Sequence, residues 1–187
     1  MTKKRKPESE MMSYGYDPHL SEGAAKTPLF QTSTFIFKNS EEGKAHFHIA
    51  YGLRKKRKNE SVSLAYSRIN NPNAEIVEER LKIWDNAEAC AVFQSGMAAI
   101  TTTILEITKP NTLIMHSLPL YGGTDHFIKH VLPKYGINSM HFDSFDTIDK
   151  IINKKNKKYP NLEVSLVYIE SPANPTNSLV DIKKSKE

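Results

Sequence analysis

Apolar and polar positions change their rhythm near Asn71. The stretch "NPNAEIVEERLKIWDN" predicts a helix over residues 71–86, with a proline near its start and acids early. Ile76, Val77, Leu81 and Trp84 fall on one apolar stripe of it. "ACAVF" then reads as a short strand, and a helix follows from about Met97 to Thr108, stopped by "KPN". Next come a strand "TLIMHS", a helix from about Gly122 to Tyr135 and a strand "INSMHF". A helix near 146–157 and a strand "VSLVYIE" complete the pattern. Strands that alternate with helices and are nearly continuously apolar predict an α/β fold around a parallel sheet covered on both faces. Ligands of such sheets sit at the carboxyl ends of the strands. That rule singles out three loops: "QSGM", "SLPLYGGT" and "SPANPTN".

The first 65 residues lack this alternation. They hold a charged start, an extended piece "TPLFQTSTFIF", a short helical pattern "SEEGKAHFHIAYGL" and a basic loop "RKKRKNES". Residues 1–65 are therefore expected to form an arm that wraps a neighbouring surface, and residues 66–187 to carry the sheet.

Composition adds limits. The chain has 187 residues, enough for one domain with a core or for a portion of a larger one. Its 39% hydrophobic and 25% charged residues suit a globular protein. The net charge of +5 is concentrated in "KKRK", "RKKRK" and "KKNKK". No aromatic residues are interleaved with these runs and no nucleic-acid motif accompanies them, so solvated loops are expected rather than a nucleic-acid partner. Cys90 is the only cysteine, which excludes an internal disulfide, and its apolar run argues for a buried packing role. No run approaches the roughly 18 apolar residues of a membrane span, and the N-terminus has no apolar signal core. A cytoplasmic protein is expected.

The loops carry the candidate chemistry. In "FQSGMAAI" an apolar segment breaks at Ser95-Gly96 and starts a helix of small residues at once. The unpaired N–H groups of such a helix start, with the helix dipole behind them, suit an anion and most often a phosphate. An ordinary tight turn would look the same over these eight residues. A Walker loop and a three-glycine dinucleotide fingerprint are both absent. What remains is a single phosphate held by the N–H groups of Gly96 and Met97, with the Ser95 hydroxyl as a further donor. Tyr121 in "LYGGT" can lie flat on a planar ligand, where stacking is worth about 0.5–1.5 kcal/mol beyond burial. Plugging a helix start is the plainer role for that ring. Asn174, between prolines in "ESPANPTN", can aim its amide at a ligand oxygen, or it can simply sit in a proline turn. Together the loops describe a pocket for a flat, singly phosphorylated aromatic ring, which pyridoxal 5'-phosphate fits better than a nucleotide.

Taken in order, "AYSRINNPN", "AVFQSGMAAI", "LYGGT" and "YIESPANPT" resemble the Cys/Met-metabolism (trans-sulfuration) family of pyridoxal-phosphate enzymes, from about Pro28 to Asp181. Its members include cystathionine γ-synthase, cystathionine lyases, methionine γ-lyase and O-acyl-homoserine sulfhydrylases. The resemblance implies the aspartate-aminotransferase-like, fold type I large domain, a three-layer α/β architecture present in part and preceded by an arm. It implies that Gly96 and Met97 bind the cofactor phosphate through backbone amides, that Tyr121 stacks on the pyridine ring and can handle a proton, and that Asn174 reaches the ring's phenolic oxygen with Glu170 supporting that side. Tyr66 and Arg68 would reach the phosphate held by a neighbouring subunit. A guanidinium fork suits phosphate oxygens. The implied assembly is a homo-oligomer of dimers that share active sites, commonly tetrameric, acting on an amino-acid substrate.

The family's Schiff-base lysine and the aspartate that pairs with the ring nitrogen are expected beyond Glu187, as is the C-terminal domain. Lys183, Lys184 and Lys186 stand in a polar tail. The implied activity is γ-replacement or elimination on homoserine esters or cystathionine, with a cystathionine or methionine lyase as the alternative. A catalytically inactive remnant that only associates with a full-length partner is the reading from another class. Gly123 stands where methionine γ-lyases typically carry cysteine, which argues against a dedicated enzyme of that kind. The insertion "GLRKKRKNESVSL" is longer than in common members. His126 and His130 are four apart on a predicted helix, with no glutamate between them and no third ligand in view, and are read as helix-surface histidines. His116 ends a strand near the pocket.

Overall fold

A computed structural model describes residues 5–58, 60, 63–143 and 146–181. The chain forms two compact units, Met1–Val92 and Phe93–Glu187.

The first unit is built on short helices and a pinned extended segment. Helix α1 (Pro7–Glu10) is a single turn, and α2 (Ser40–Ala50) starts where the Asn39 side chain accepts the Glu42 N–H at 2.8 Å. Helix α3 (Pro72–Asp85) has Pro72 in its first turn, Asn71 as its cap and Asn86 in the left-handed conformation at its end (φ 49°). The segment predicted to be extended meets residues 65–67 in one antiparallel bridge, Thr34 to Tyr66. Phe35 N–H donates to the Ala65 carbonyl at 3.0 Å, and Ser67 N–H to Ser33 at 2.8 Å. The asparagines of "NNPN" hold it further: Asn73 accepts the Phe30 N–H at 2.9 Å and donates to the Pro28 carbonyl at 2.9 Å. Of the apolar stripe predicted for α3, only Ile76 is buried, and Val77, Leu81 and Trp84 stay exposed. In the basic run, Arg54 forks onto the Glu60 carboxylate at 2.6 and 2.8 Å. That pairing, with an Arg57 backbone N–H, holds the Glu60 pKa down to about 2.

The second unit contains the parallel sheet. Strands β1 (Thr112–Leu118), β2 (Asn138–Asp143) and β3 (Glu163–Tyr168) run in the order β2-β1-β3. Central β1 is buried on both faces, with Leu113, Ile114, His116 and Ser117 almost wholly excluded from water. On β3, by contrast, Val164 and Val167 remain exposed, because this strand has β1 on one side only among the described residues. Helices α4 (Gly96–Ile107) and α5 (Gly122–His126) follow the first two predicted loops, and α6 (Ile148–Lys158) precedes β3. Ile104 of α4 and Ile114 of β1 form the core with Leu120, Ile128, Leu132 and Ile137, backed by Ile100, Phe127, Leu166 and Tyr168.

Two sequence expectations are corrected. "ACAVF" is not a strand: none of the described residues pairs with it, Val92 and Phe93 are exposed, and the Val92 N–H donates to Glu78 at 3.0 Å. A strand exists only beside a neighbour. Cys90 within it is accordingly half-buried rather than enclosed. The helix predicted over 122–135 keeps its span but changes pitch, from α to a π turn over Phe127–Val131 and then to a 3₁₀ turn over Leu132–Tyr135. Pro133 has no N–H for an α ladder, which accounts for the closing 3₁₀ turn. Gly136 ends the run with φ 74°, a conformation that suits glycine.

His116 lies inside this core, 1% exposed, with Nδ1 3.0 Å from the Ser117 carbonyl. Burial pushes its pKa below the ordinary value; the Ser117 carbonyl opposes this, Lys129 and His141 add to it and Asp125 opposes it. An unfolded histidine takes up its proton near pH 6.5 (about the ordinary value), whereas this folded one resists it. Stability is then fully present above that pH and falls as pH drops below it. Urea midpoints are expected to decline between pH 7 and 5.5, and His116→Gln should flatten the decline. An unchanged slope in that variant would contradict the assignment.

Candidate active site

Strands β2 and β3 flank β1 on opposite sides, so the chain leaves β1 toward one edge of the sheet and crosses over β1 to the other edge after β2. Ligand crevices of parallel α/β sheets form outside the carboxyl ends of the strands. There the structure ties three of the expected site residues together. Ser117, at the end of β1, accepts the Glu170 N–H on its hydroxyl at 3.2 Å. The Glu170 carboxylate in turn accepts the Tyr121 N–H at 3.0 Å and the Asn174 N–H at 3.0 Å. One acid therefore fixes the backbone of the residue expected to stack and of the residue expected to meet a ligand oxygen. The peptide bonds Leu118–Pro119, Ser171–Pro172 and Asn174–Pro175 in these loops are cis. Ala173 is buried, while Asn174 stands exposed beside it.

The other part of the site is the start of α4. Ser95 has extended backbone angles, and its hydroxyl oxygen accepts the Ala98 N–H at 3.0 Å. Its carbonyl accepts the Ala99 N–H at 3.1 Å. The Gly96 and Met97 N–H groups make no hydrogen bond within the described residues. A hydroxyl that accepts through its oxygen can still donate its proton, so Ser95 caps the helix and keeps one donor for a ligand. A Cβ placed on Gly96 would meet nothing within 4 Å, so the turn is open. Every other helix of eight residues or more here carries an acid in its first turn (Glu41 and Glu42 in α2, Glu75 in α3, Asp149 in α6), and α4 carries none. Its positive dipole end is left unneutralised by its own sequence.

Gly123 joins the two parts. A Cβ there would stand 2.8 Å from Tyr121 Cε1 and 2.9 Å from Met97 Sδ, closer than real contacts allow. The tyrosine ring and the sulfur thus border one small space that only glycine leaves free. Gly123→Ala is expected to displace the Tyr121 ring and the Met97 methyl, visible as shifts of their side-chain NMR signals. Unmoved signals would show that the space is looser than this.

Tyr66 and Arg68 belong to the first unit, where the Arg68 guanidinium lies over the Tyr66 ring at 5.6 Å. Both side chains are exposed, and the guanidinium makes no hydrogen bond among the described residues. Ser117 was not anticipated from sequence; the one signal was a small polar residue near the end of the strand "TLIMHSL". Lys183, Lys184 and Lys186 lie outside the described residues.

Comparison with known proteins decides the family. The model of the Cys/Met metabolism PLP-dependent enzymes matches residues 8–187. The chain belongs to that family. Among its relatives is the L-methionine gamma-lyase of Treponema denticola, 36% identical over 160 residues, which cover 86% of this chain and 36% of that protein. Cystathionine gamma-synthase 1 of Arabidopsis thaliana is 31% identical over 162 residues, 86% of this chain and 26% of the relative. A crystal structure from Campylobacter jejuni, described as an O-acetylhomoserine (thiol)-lyase with N'-pyridoxyl-lysine-5'-monophosphate, superposes with a TM-score of 0.80. It covers 97% of this chain and 41% of its own at 23% identity, which establishes the fold type of pyridoxal-phosphate enzymes. The chain spans well under half the length of these proteins. No helix among the described residues is long and apolar enough to cross a membrane.

Proposed function

We propose that the chain supplies the phosphate cradle and the stacking face of a pyridoxal 5'-phosphate site in an enzyme that performs γ-replacement or elimination on homoserine esters or cystathionine. The observation that carries this reading is the open α4 turn, with two unpaired N–H groups at Gly96 and Met97 and the Ser95 proton beside them. Three donors at an uncompensated helix start fit a phosphate monoester. Tyr121, 44% exposed, offers a ring face for the pyridine, and its phenol would hold or pass a proton. Asn174 would donate from its side-chain amide to the ring's phenolic oxygen, while Glu170 keeps both residues in register through their backbone N–H groups. When bound, pyridoxal phosphate supplies an electron sink for the substrate's α-carbon.

Tyr66 and Arg68 would complete the phosphate site of a neighbouring copy. Among the described residues the Arg68 fork has its donors free, and the Tyr66 ring supports it. A dimer with shared sites follows from that role, and the resemblance to the family implies that such dimers pair into a tetramer. A reducing cytoplasm suits a chain with a single cysteine. The 36% identity to a methionine gamma-lyase favours, as a second reading, a lyase acting on methionine or cystathionine. Against a dedicated methionine enzyme stands Gly123, where the cysteine typical of those lyases would press on Tyr121 and Met97.

Calorimetric titration of the full chain with pyridoxal phosphate and with pyridoxal tests the cradle. The phosphate ester is expected to bind at least about tenfold more tightly, roughly 1.4 kcal/mol. Equal affinities would overturn the reading.

A further inference from the structure

His126 and His130, read from the sequence as helix-surface histidines four apart, have rings that face each other closely. The last residue of α5 and the fourth residue of the π turn bring the two imidazoles to a centroid separation of 5.0 Å, with planes tilted by 41°. Both residues are exposed, and neither ring makes a hydrogen bond among the described residues. Their lone pairs are therefore available.

That separation is informative about metal binding. An imidazole nitrogen binds zinc at about 2.0–2.1 Å, which puts the ring centre about 3.2 Å from the ion. Two rings bound at angles between square-planar and tetrahedral then have centroids about 4.5–5.2 Å apart. The observed 5.0 Å lies inside that window without any change of backbone. Lys129, the cation next to His130, is engaged by Asp125, Nζ to Oδ1 at 2.6 Å, so its charge is partly offset. The described residues contain no cluster of three or more metal-ligating side chains, so the pair would leave the remaining coordination positions to water.

We propose that His126 and His130 form a two-point chelate for a late divalent transition metal, outside the cofactor site. Imidazole nitrogen favours Cu²⁺ over Ni²⁺ and Zn²⁺ in the usual order of affinity. The backbone that carries both histidines belongs to the protein's own fold, so binding has only the two side chains to order.

Titration of the full chain with Cu²⁺ and Ni²⁺ tests this. One ion per chain is expected, with Cu²⁺ held more tightly. His126→Ala and His130→Ala should each weaken binding at least about tenfold, whereas replacing exposed His19 should not. Equal losses at all three positions, or no loss at 126 and 130, would overturn the proposal. Electron paramagnetic resonance of the Cu²⁺-loaded unaltered chain gives an answer that does not depend on the variants. Two coordinated nitrogens are expected, and coupling to one or none would count against the chelate.

Discussion

Replacing Gly96 with aspartate should separate folding from cofactor binding more sharply than any other single change. Residue 96 opens α4 without a positive φ, and a Cβ there touches nothing. Aspartate in a first helical turn interacts favourably with the dipole by about 0.3–1 kcal/mol, and α4 lacks any such acid. The variant is therefore expected to unfold at the same or slightly higher urea concentration. Its carboxylate would sit among the N–H groups proposed for the phosphate. Pyridoxal phosphate affinity should fall by about a hundredfold, or roughly 2.7 kcal/mol. A structural turn with no anion role would show the stability gain and no binding loss, and that pairing would contradict the proposal.

Glu170 should give the opposite result, a loss of both. Its carboxylate accepts from two backbone N–H groups on different segments, Tyr121 and Asn174. Glutamine keeps one oxygen and presents an NH₂ group, which can only donate, to the second N–H. Hydrogen bonds to a charged acceptor contribute about 1.5–3 kcal/mol each, and these half-exposed ones belong at the lower end. Glu170→Gln is expected to destabilise the chain by about 2 kcal/mol and to weaken pyridoxal phosphate binding about tenfold. Measured by urea unfolding, a change under about 0.5 kcal/mol would mean that the clamp seen at Glu170 holds little.

The parts legible in the sequence are those set by local chemistry. Ser95-Gly96 announced a capped helix start, and the apolar runs of β1, β2 and β3 announced a parallel sheet, because cap and strand patterns are written in neighbouring residues. "ACAVF" has the same texture as the true strands but forms none, since strand formation depends on a partner that its own residues do not specify. The stripe on α3 had the right period, yet periodicity does not say what covers it, and three of its four members stay exposed. The site residues could be named one by one from their loops. Their linkage could not: Ser117 and Glu170 are 53 residues apart, and Glu170 and Tyr121 are 49 apart. The nearness of His126 and His130 was legible in their i,i+4 spacing, and the structure adds the ring separation of 5.0 Å.

The phosphate cradle is most directly tested by backbone amide NMR of the ¹⁵N-labelled full chain, titrated first with pyridoxal phosphate and then with inorganic phosphate. Saturable movement of the Gly96 and Met97 signals with both ligands, joined by Tyr121 ring signals with the coenzyme alone, is the expected result. If those two amides stay still while resonances elsewhere in the chain respond, the helix start does not hold the phosphate and the proposed site is wrong.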